Sequence, residues 1–204
     1  MTLSLNQRHL FMLILTVITL IISGLHPYDR GTWLMEVAPV LIAAPILWFS
    51  YSRFQFTHLV YWCIFLHALI LIIGGKYTYA RVPVGFMVQD WFDLSRNPYD
   101  KLGHFIQGFS PVLIAREILI RNKIISTGKM LSFIVVSIVL AISATYELLE
   151  WAAALALGQG ADEFLGTQGD NWDTQSDMFM ALVGAIIALI FFSSLQNKQI
   201  EKIK

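Results

Sequence analysis

Asp100 and His104 stand four residues apart in "NPYDKLGHFIQGF", the stretch from Asn97 to Phe109. On a helix that spacing puts both on one face, and Gln107 extends the stripe by a turn. A carboxylate one turn from an imidazole can orient it as a base or as a metal ligand. Farther along, "SATYELLEW" carries Ser143, Glu147 and Glu150 at i, i+4 and i+7, again a single stripe. Two carboxylates held close together cannot both ionise freely, which is the pattern of proton-handling sites. "LGTQGDNWDTQSDMFMALVGA", from Leu165 to Ala185, supplies Asp170, Asp173 and Asp177. With a helix starting near Gly169 these three line one face, and Ala181, Gly184 and Ala188 continue it. Small residues at such positions let a neighbouring helix approach closely.

These residue types support two chemistries. Asp100, His104, Glu147, Asp170, Asp173 and Asp177 are candidate ligands for a divalent cation. His104, Glu147 and Glu150 are candidate catalytic acids and bases. Carboxylate-rich oxygen donors favour Mg²⁺, Mn²⁺ or Ca²⁺, while a histidine also admits Zn²⁺. A structural reading stands beside both: aspartates in a first helical turn cap the helix and suit its dipole, and the acids can pair with Arg81, Arg96 or Lys101.

The elements that must position these groups are transmembrane helices. The chain has 204 residues, is 56% hydrophobic and only 14% charged, against about a quarter charged in soluble domains. Its apolar residues fall in six runs, 9–25, 33–51, 57–75, 103–120, 130–156 and 176–195, each near the length a spanning helix needs. No small-x-small cleavage site follows the first run, which reads as a retained helix. There are no repeats and no long linker, so residues 1–204 are expected to form one all-α, polytopic bundle of about six transmembrane helices. A mid-helix acid costs about 2.5–3.5 kcal/mol even on the lenient insertion scale, so acids at that depth need a partner, a cation or a task.

Lys and Arg set the orientation. With the N-terminus inside, Arg8, Arg53, Arg116, Arg121, Lys123, Lys129, Lys198, Lys202 and Lys204 are cytoplasmic, nine of the 14. Both termini are then cytoplasmic, and the fourth, fifth and sixth segments bring their polar groups to one level of the outer leaflet. The aromatic loop between the third and fourth segments, with Lys76, Arg81, Arg96, Tyr77, Tyr79, Trp91 and Phe92, is expected to cover that pocket as a lid for an anionic or lipid headgroup. His67 reads as a packed mid-helix residue, and His9, His26 and His58 as interfacial ones. The lone Cys63 cannot form an intrachain disulfide.

Other classes are excluded or unsupported. A formal net charge of zero leaves no basic surface for nucleic acid. There is no phosphate-binding glycine loop, no His-Glu-x-x-His helix and no Gly-x-Ser-x-Gly elbow.

The stretches "HALILIIGGKYTYARVP", "RNPYDKLGHFIQGF", "ATYELLEW" and "LGTQGDNWDTQSDM" together resemble the YjdF family of bacterial inner-membrane proteins, along essentially the whole chain. The resemblance implies a multi-pass protein of the bacterial inner membrane and carries no reaction, since that family's function is unknown. The chain also resembles, more distantly, VanZ-like membrane proteins, linked to glycopeptide-antibiotic tolerance. Asp100-Lys101, His104-Phe105, Glu147, Asp177 and Gly184 match their pattern, whereas Glu150 and Ala181 replace its Gln and Asn. That likeness implies that these polar positions belong together.

The leading reading is a membrane enzyme or binding protein with a metal-binding or acid–base pocket near the periplasmic face, acting on a lipid-linked or envelope substrate. The alternatives are a proton-coupled transporter or channel subunit, and a structural bundle with paired acids. The orientation is tested directly: a reporter fused after Lys204 is expected to be active as a cytoplasmic fusion, and activity only in the periplasm overturns the placement of the pocket.

Overall fold

The computed structural model describes residues 5–157 and 170–203. Among them are seven helices: α1 (Leu5–Leu25), α2 (Arg30–Ser50), α3 (His58–Tyr77), α4 (Pro83–Phe92), α5 (Tyr99–Arg121), α6 (Lys129–Leu157) and α7 (Asp173–Glu201). Local chemistry fixes their starts. The Asp29 side chain accepts from the Thr32 N–H at 2.7 Å and caps α2, a backbone hydrogen bond that holds its carboxyl below the ordinary aspartate pKa. Thr57 caps α3. Pro83 opens α4, where its missing N–H has no partner to lose.

Two expectations change here. The segment between α3 and α5 is not all loop, because it folds into the ten-residue α4. The last helix begins at Asp173 rather than near Gly169, so Asp170 precedes the helix instead of continuing its stripe.

Helices α1, α2, α3, α6 and α7 are long and apolar enough to cross a membrane. At 23 residues α5 is long enough too, yet it is not among these apolar spans. It carries Asp100, Lys101, His104, Gln107, Arg116 and Glu117. Such a helix avoids hydrocarbon only by being wrapped in protein, and α3, α6 and α7 wrap it. Its most extensive contact is with α7. A Cβ on Gly108 would run into the Ala181 carbonyl, and one on Gly184 into the Phe105 carbonyl. The small-residue stripe of α7 therefore meets α5 backbone to backbone, and Ala181, Ala185 and Ala188 are fully buried. Around this seam Val60, Val112, Leu113, Val135 and Val139 form a core shared by α3, α5, α6 and α7. A second core joins Val37 and Val40 of α2 to Leu71 and Ile72 of α3, with Tyr79, Val82 and Tyr99. The outward faces expose Phe11, Phe49, Phe133, Trp151 and Phe191, as a lipid-facing surface should.

The end of the bundle where α5 finishes is held by a satisfied polar network. Glu117, fully buried, accepts from the Thr57 N–H at 2.8 Å and its hydroxyl at 2.6 Å, and from Arg121 at 3.0 Å. Gln196 donates to the Leu113 carbonyl at 2.7 Å and accepts from Arg116 at 2.8 Å. The same end ties α1 to α3. Trp62 donates to His58 Nε2 at 2.9 Å, and His58 Nδ1 lies 3.2 Å from His9 Nε2. Because an indole N–H only donates, His58 must carry its proton on Nδ1 and pass it toward His9. His9 Nδ1 in turn meets the Tyr51 hydroxyl at 3.2 Å.

The glycine seam gives a clear test. Gly184→Val forces α5 and α7 apart and is expected to destabilise the purified protein by about 1–3 kcal/mol, as overpacking does. Phe191→Leu, on the exposed face of the same helix, should leave the melting curve nearly unmoved.

Candidate functional site

The opposite end of the bundle, where α5 begins, holds the acids. Lys101, in the first turn of α5, donates from Nζ to Asp173 Oδ1 at 2.7 Å, to Asp177 Oδ1 at 2.7 Å and to the Ser176 hydroxyl at 2.6 Å. Arg96, just before α5, reaches Asp173 at 2.5 Å and Asp170 at 3.3 Å. Burial opposes the Arg96 charge, yet the hydrogen bond and charge of Asp173, with the charges of Asp100 and Asp170, raise its pKa above the ordinary arginine value. Asp170 and Asp173 thus face loop and helix cations.

Deeper in, a second group forms. Asp100, His104 and Asp177 are all buried, at 8%, 5% and 3% exposure. Each offers one ligand atom within 4.8 Å of the others. His104 Nε2 lies 3.6 Å from Asp100 Oδ1 and 3.9 Å from Asp177 Oδ1. Its other nitrogen, Nδ1, lies 3.2 Å from Gln107 Oε1 and 3.7 Å from Glu147 Oε1. With Gln107 as acceptor, Nδ1 carries the proton and Nε2 turns a lone pair toward the two aspartates. Outer partners fix the tautomer of metal-ligating histidines in this way. Lys101 already relieves Asp177 Oδ1, and the remaining repulsion among the three atoms is removed when a proton or a cation lies between them.

Behind this group lies a small cleft with about 20 Å³ of space, room for about one water, lined by Glu36, Tyr79, Asp100, His104, Tyr146 and Glu150 among others. Glu36 comes from α2 and accepts from the Tyr146 hydroxyl at 2.9 Å. The Tyr79 hydroxyl acts on the same carboxylate. Tyr79 reaches this place because the chain turns sharply after α3. Thr78 and Tyr79 both take positive φ, 57° and 39°, at a cost of about 1–3 kcal/mol each. The ring then slots between Gly74 of α3 and Gly103 of α5, where any Cβ would strike it.

The structure therefore brings together Asp100, His104, Glu147 and Asp177, and sets Glu150 across the cleft from them. Trp91 and Phe92 of the expected lid point outward, at 72% and 71% exposure, and Arg81 stacks on Tyr28 at 4.3 Å. Only Tyr79 of the lid rings lines the cleft. Sequence reasoning missed Glu36 and gave Tyr146 no role. Glu36 carried a usable signal, since it is a carboxylate in the otherwise apolar "WLMEVAPV". Tyr146 carried none apart from its place beside Glu147.

A bundle of long apolar helices around one polar helix, with acids gathered at one end, defines a polytopic α-helical membrane protein. The chain belongs to the family described as "Predicted membrane protein (DUF2238)", whose model matches residues 8–198. It is 58% identical over 190 residues, 93% of this chain and 90% of the relative, to "Inner membrane protein YjdF" of Escherichia coli (strain K12). No solved structure matches.

The Lys101 contacts generate a prediction. Lys101→Met leaves Asp173 and Asp177 close together without their shared ammonium. Its partly exposed side chain moderates the loss, so a destabilisation of about 2 kcal/mol is expected. A Lys101→Met/Asp177→Asn double variant should recover part of that loss, as a melting-based double-mutant cycle would show.

Proposed function

We propose that this inner-membrane protein carries a divalent-cation site at Asp100, His104 and Asp177, near the periplasmic face, and acts there on a lipid-linked or envelope substrate. The observation that carries this reading is the convergence of three buried ligand atoms within 4.8 Å of one another. Their separations of 3.6 and 3.9 Å suit ligands that close around an ion at about 2.0–2.6 Å. His104 Nε2 and one oxygen of each aspartate form the inner set. Glu147, on the far side of the imidazole, orients the ring and takes up its Nδ1 proton if the ring serves as acid or base. Asp173 stays outside the ion's reach as the partner of Arg96 and Lys101. Asp177 shares its charge between Lys101 and the cation. The periplasmic placement follows from the lysine and arginine distribution, with both termini cytoplasmic.

The charge balance supports a cation. Among the described residues, Asp100, Asp170, Asp173, Asp177, Glu36, Glu147 and Glu150 gather where Arg96 and Lys101 bring the lasting positive charge, and His104 adds to it only when its ring is doubly protonated. Like charges held at low dielectric must be neutralised by protons or by a bound ion. A water-filled path across the membrane would favour a proton relay instead.

Metal should stabilise the fold by mass action. Millimolar Mg²⁺, Mn²⁺ or Ca²⁺, or micromolar Zn²⁺, is expected to raise the melting temperature of the detergent-purified protein by about 3 °C or more. Asp177→Asn should abolish that rise while leaving the protein folded. A wild-type melting curve unmoved by every divalent ion sinks the cation reading and leaves acid–base chemistry or ion pairing.

A further inference from the structure

At the end of the bundle opposite the acids, α1 is joined to α3 and to the end of α2 by polar groups that take no part in the cation site. Trp62 Nε1 donates to His58 Nε2 at 2.9 Å, and His58 Nδ1 meets His9 Nε2 at 3.2 Å. His9 Nδ1 meets the Tyr51 hydroxyl at 3.2 Å, and that hydroxyl donates to Asn6 Oδ1 at 3.1 Å. Gln55 Nε2 donates to the same hydroxyl at 2.7 Å. These bonds run in one direction only. The indole N–H only donates, so His58 holds its single proton on Nδ1 and gives it to His9 Nε2. His9 then holds its own proton on Nδ1 and gives it to the Tyr51 oxygen.

This arrangement exists only while both rings are neutral. A proton added to His9 sits on Nε2 and faces the N–H of His58. A proton added to His58 sits on Nε2 and faces the N–H of Trp62. Either way two donors meet. The surroundings do not offset the charge. Arg8 of α1 acts on His58, and the rings of Tyr51 and Tyr61 flank His9. Glu117 and Arg121 of α5 bear on Tyr61. From α7, Gln199 accepts from the Leu59 N–H at 2.9 Å and adds no charge. Among the described residues, neither imidazole bonds to a carboxylate. A metal ion does not suit the pair either. It would need the Nδ1 lone pair of His58, and the ring proton would then move to Nε2, against Trp62.

Helix α1 depends on this link. It packs mainly on α3 and touches α2 little, and Leu10, Phe11, Ile14, Ile18 and Ile21 are exposed. Near its other end Trp33 of α2 donates to the Ser23 hydroxyl at 2.9 Å, and its ring lies against Gly24.

We propose that the His9–His58 pair is an acid-sensitive latch, closed while both imidazoles are neutral and opened when either gains a proton, so that the first turns of α1 leave α3 while the Trp33–Ser23 contact serves as the hinge. The closed state binds fewer protons than the open one, so falling pH favours opening. An imidazole is the side chain that changes charge between about pH 8 and 5. By the lysine and arginine distribution this end faces the cytoplasm, and the latch responds to the pH on that side.

The test measures one distance by electron spin resonance in the detergent-purified full chain. Spin labels are attached at Leu10→Cys and Ile124→Cys, both exposed positions, in a Cys63→Ala background. The expected result is one narrow distance near about pH 8 and a longer, broader distribution near about pH 5. His9→Gln/His58→Gln has nothing to titrate there and should give the same distribution at both pH values. Trp62→Phe removes the donor that fixes the His58 tautomer. His58 then takes a proton on Nε2 without breaking its bond to His9, and the opening should move to lower pH. Asp177→Asn, at the far end of the bundle, should leave the transition in place. An unchanged distance in the otherwise native chain overturns the proposal. So does a shift that survives in the double glutamine variant, or a Trp62→Phe transition at the original pH. A transition that moves with Asp177→Asn places the acid response in the pocket and overturns it as well.

Discussion

Hydrocarbon cannot solvate a charged side chain, and α5 carries more charge than any helix facing lipid could tolerate. Asp100, Lys101, His104, Arg116, Glu117 and Arg121 all lie on its 23 residues. The fold is a solution to that single difficulty. Helices α3, α6 and α7 surround α5, and the closest of these contacts is achieved by omitting side chains. Gly108 and Gly184 let α5 and α7 touch backbone to backbone, which draws Asp177 of α7 to His104 of α5. Without that approach the acids of α7 and the imidazole of α5 would be separated by a layer of side chains, and no common site would form. The glycine seam and the polar pocket are therefore one feature, seen at two heights along the same pair of helices.

The two ends of α5 are treated differently. At its C-terminal end Glu117 is surrounded by donors from Thr57, Arg121 and Gln196. The Glu117 carboxylate and the Arg116 guanidinium both find polar partners within the chain, and the network fastens α3, α5 and α7 together. At the N-terminal end the accounting does not close. The buried side-chain atoms without a hydrogen-bond partner among the described residues belong to Thr78, Gln89, Asp100, Ser143 and Glu147, all on the half of the bundle that holds the cleft. A buried glutamate is fully hydrogen-bonded at one end, whereas at the other Asp100 Oδ2 has the Lys101 ammonium at 4.0 Å and no hydrogen bond. The positive φ of Thr78 and Tyr79 places a ring in the cleft that a relaxed turn would leave outside.

Within the pocket the charges divide by depth. The outer pair of cations, Arg96 and Lys101, neutralises the aspartates nearest the start of α7. The inner acids face His104, and Lys101 reaches in as far as Asp177 and Asp100. This division also explains the position of Lys101. It follows Asp100 directly on the helix and reaches across to α7, while its Nζ stays 4.0 Å from Asp100 Oδ2. A single turn of helix thus supplies both the structural clamp and the candidate ligand.

Much of this was legible in the residues alone. Long apolar runs interrupted by short polar loops dictate helices across a membrane, because the backbone has no other way to satisfy itself in lipid. Asp100 and His104 at i, i+4 must share a face, and the small residues of α7 had to mark a close helix contact. Spacing along one helix is local geometry, so sequence determines it. Two things were beyond its reach. Glu36 lies far from Tyr146 along the chain, and no periodicity relates them. Their meeting depends on how α2 packs across α3. The partition of the aspartates was equally hidden. Asp170, Asp173 and Asp177 look equivalent in sequence, but the helix starts only at Asp173, and Lys101 reaches two of them from another helix. Which acid meets a cation and which turns to an open cleft is set by distances of a few ångströms between separate helices, and only the tertiary structure fixes those.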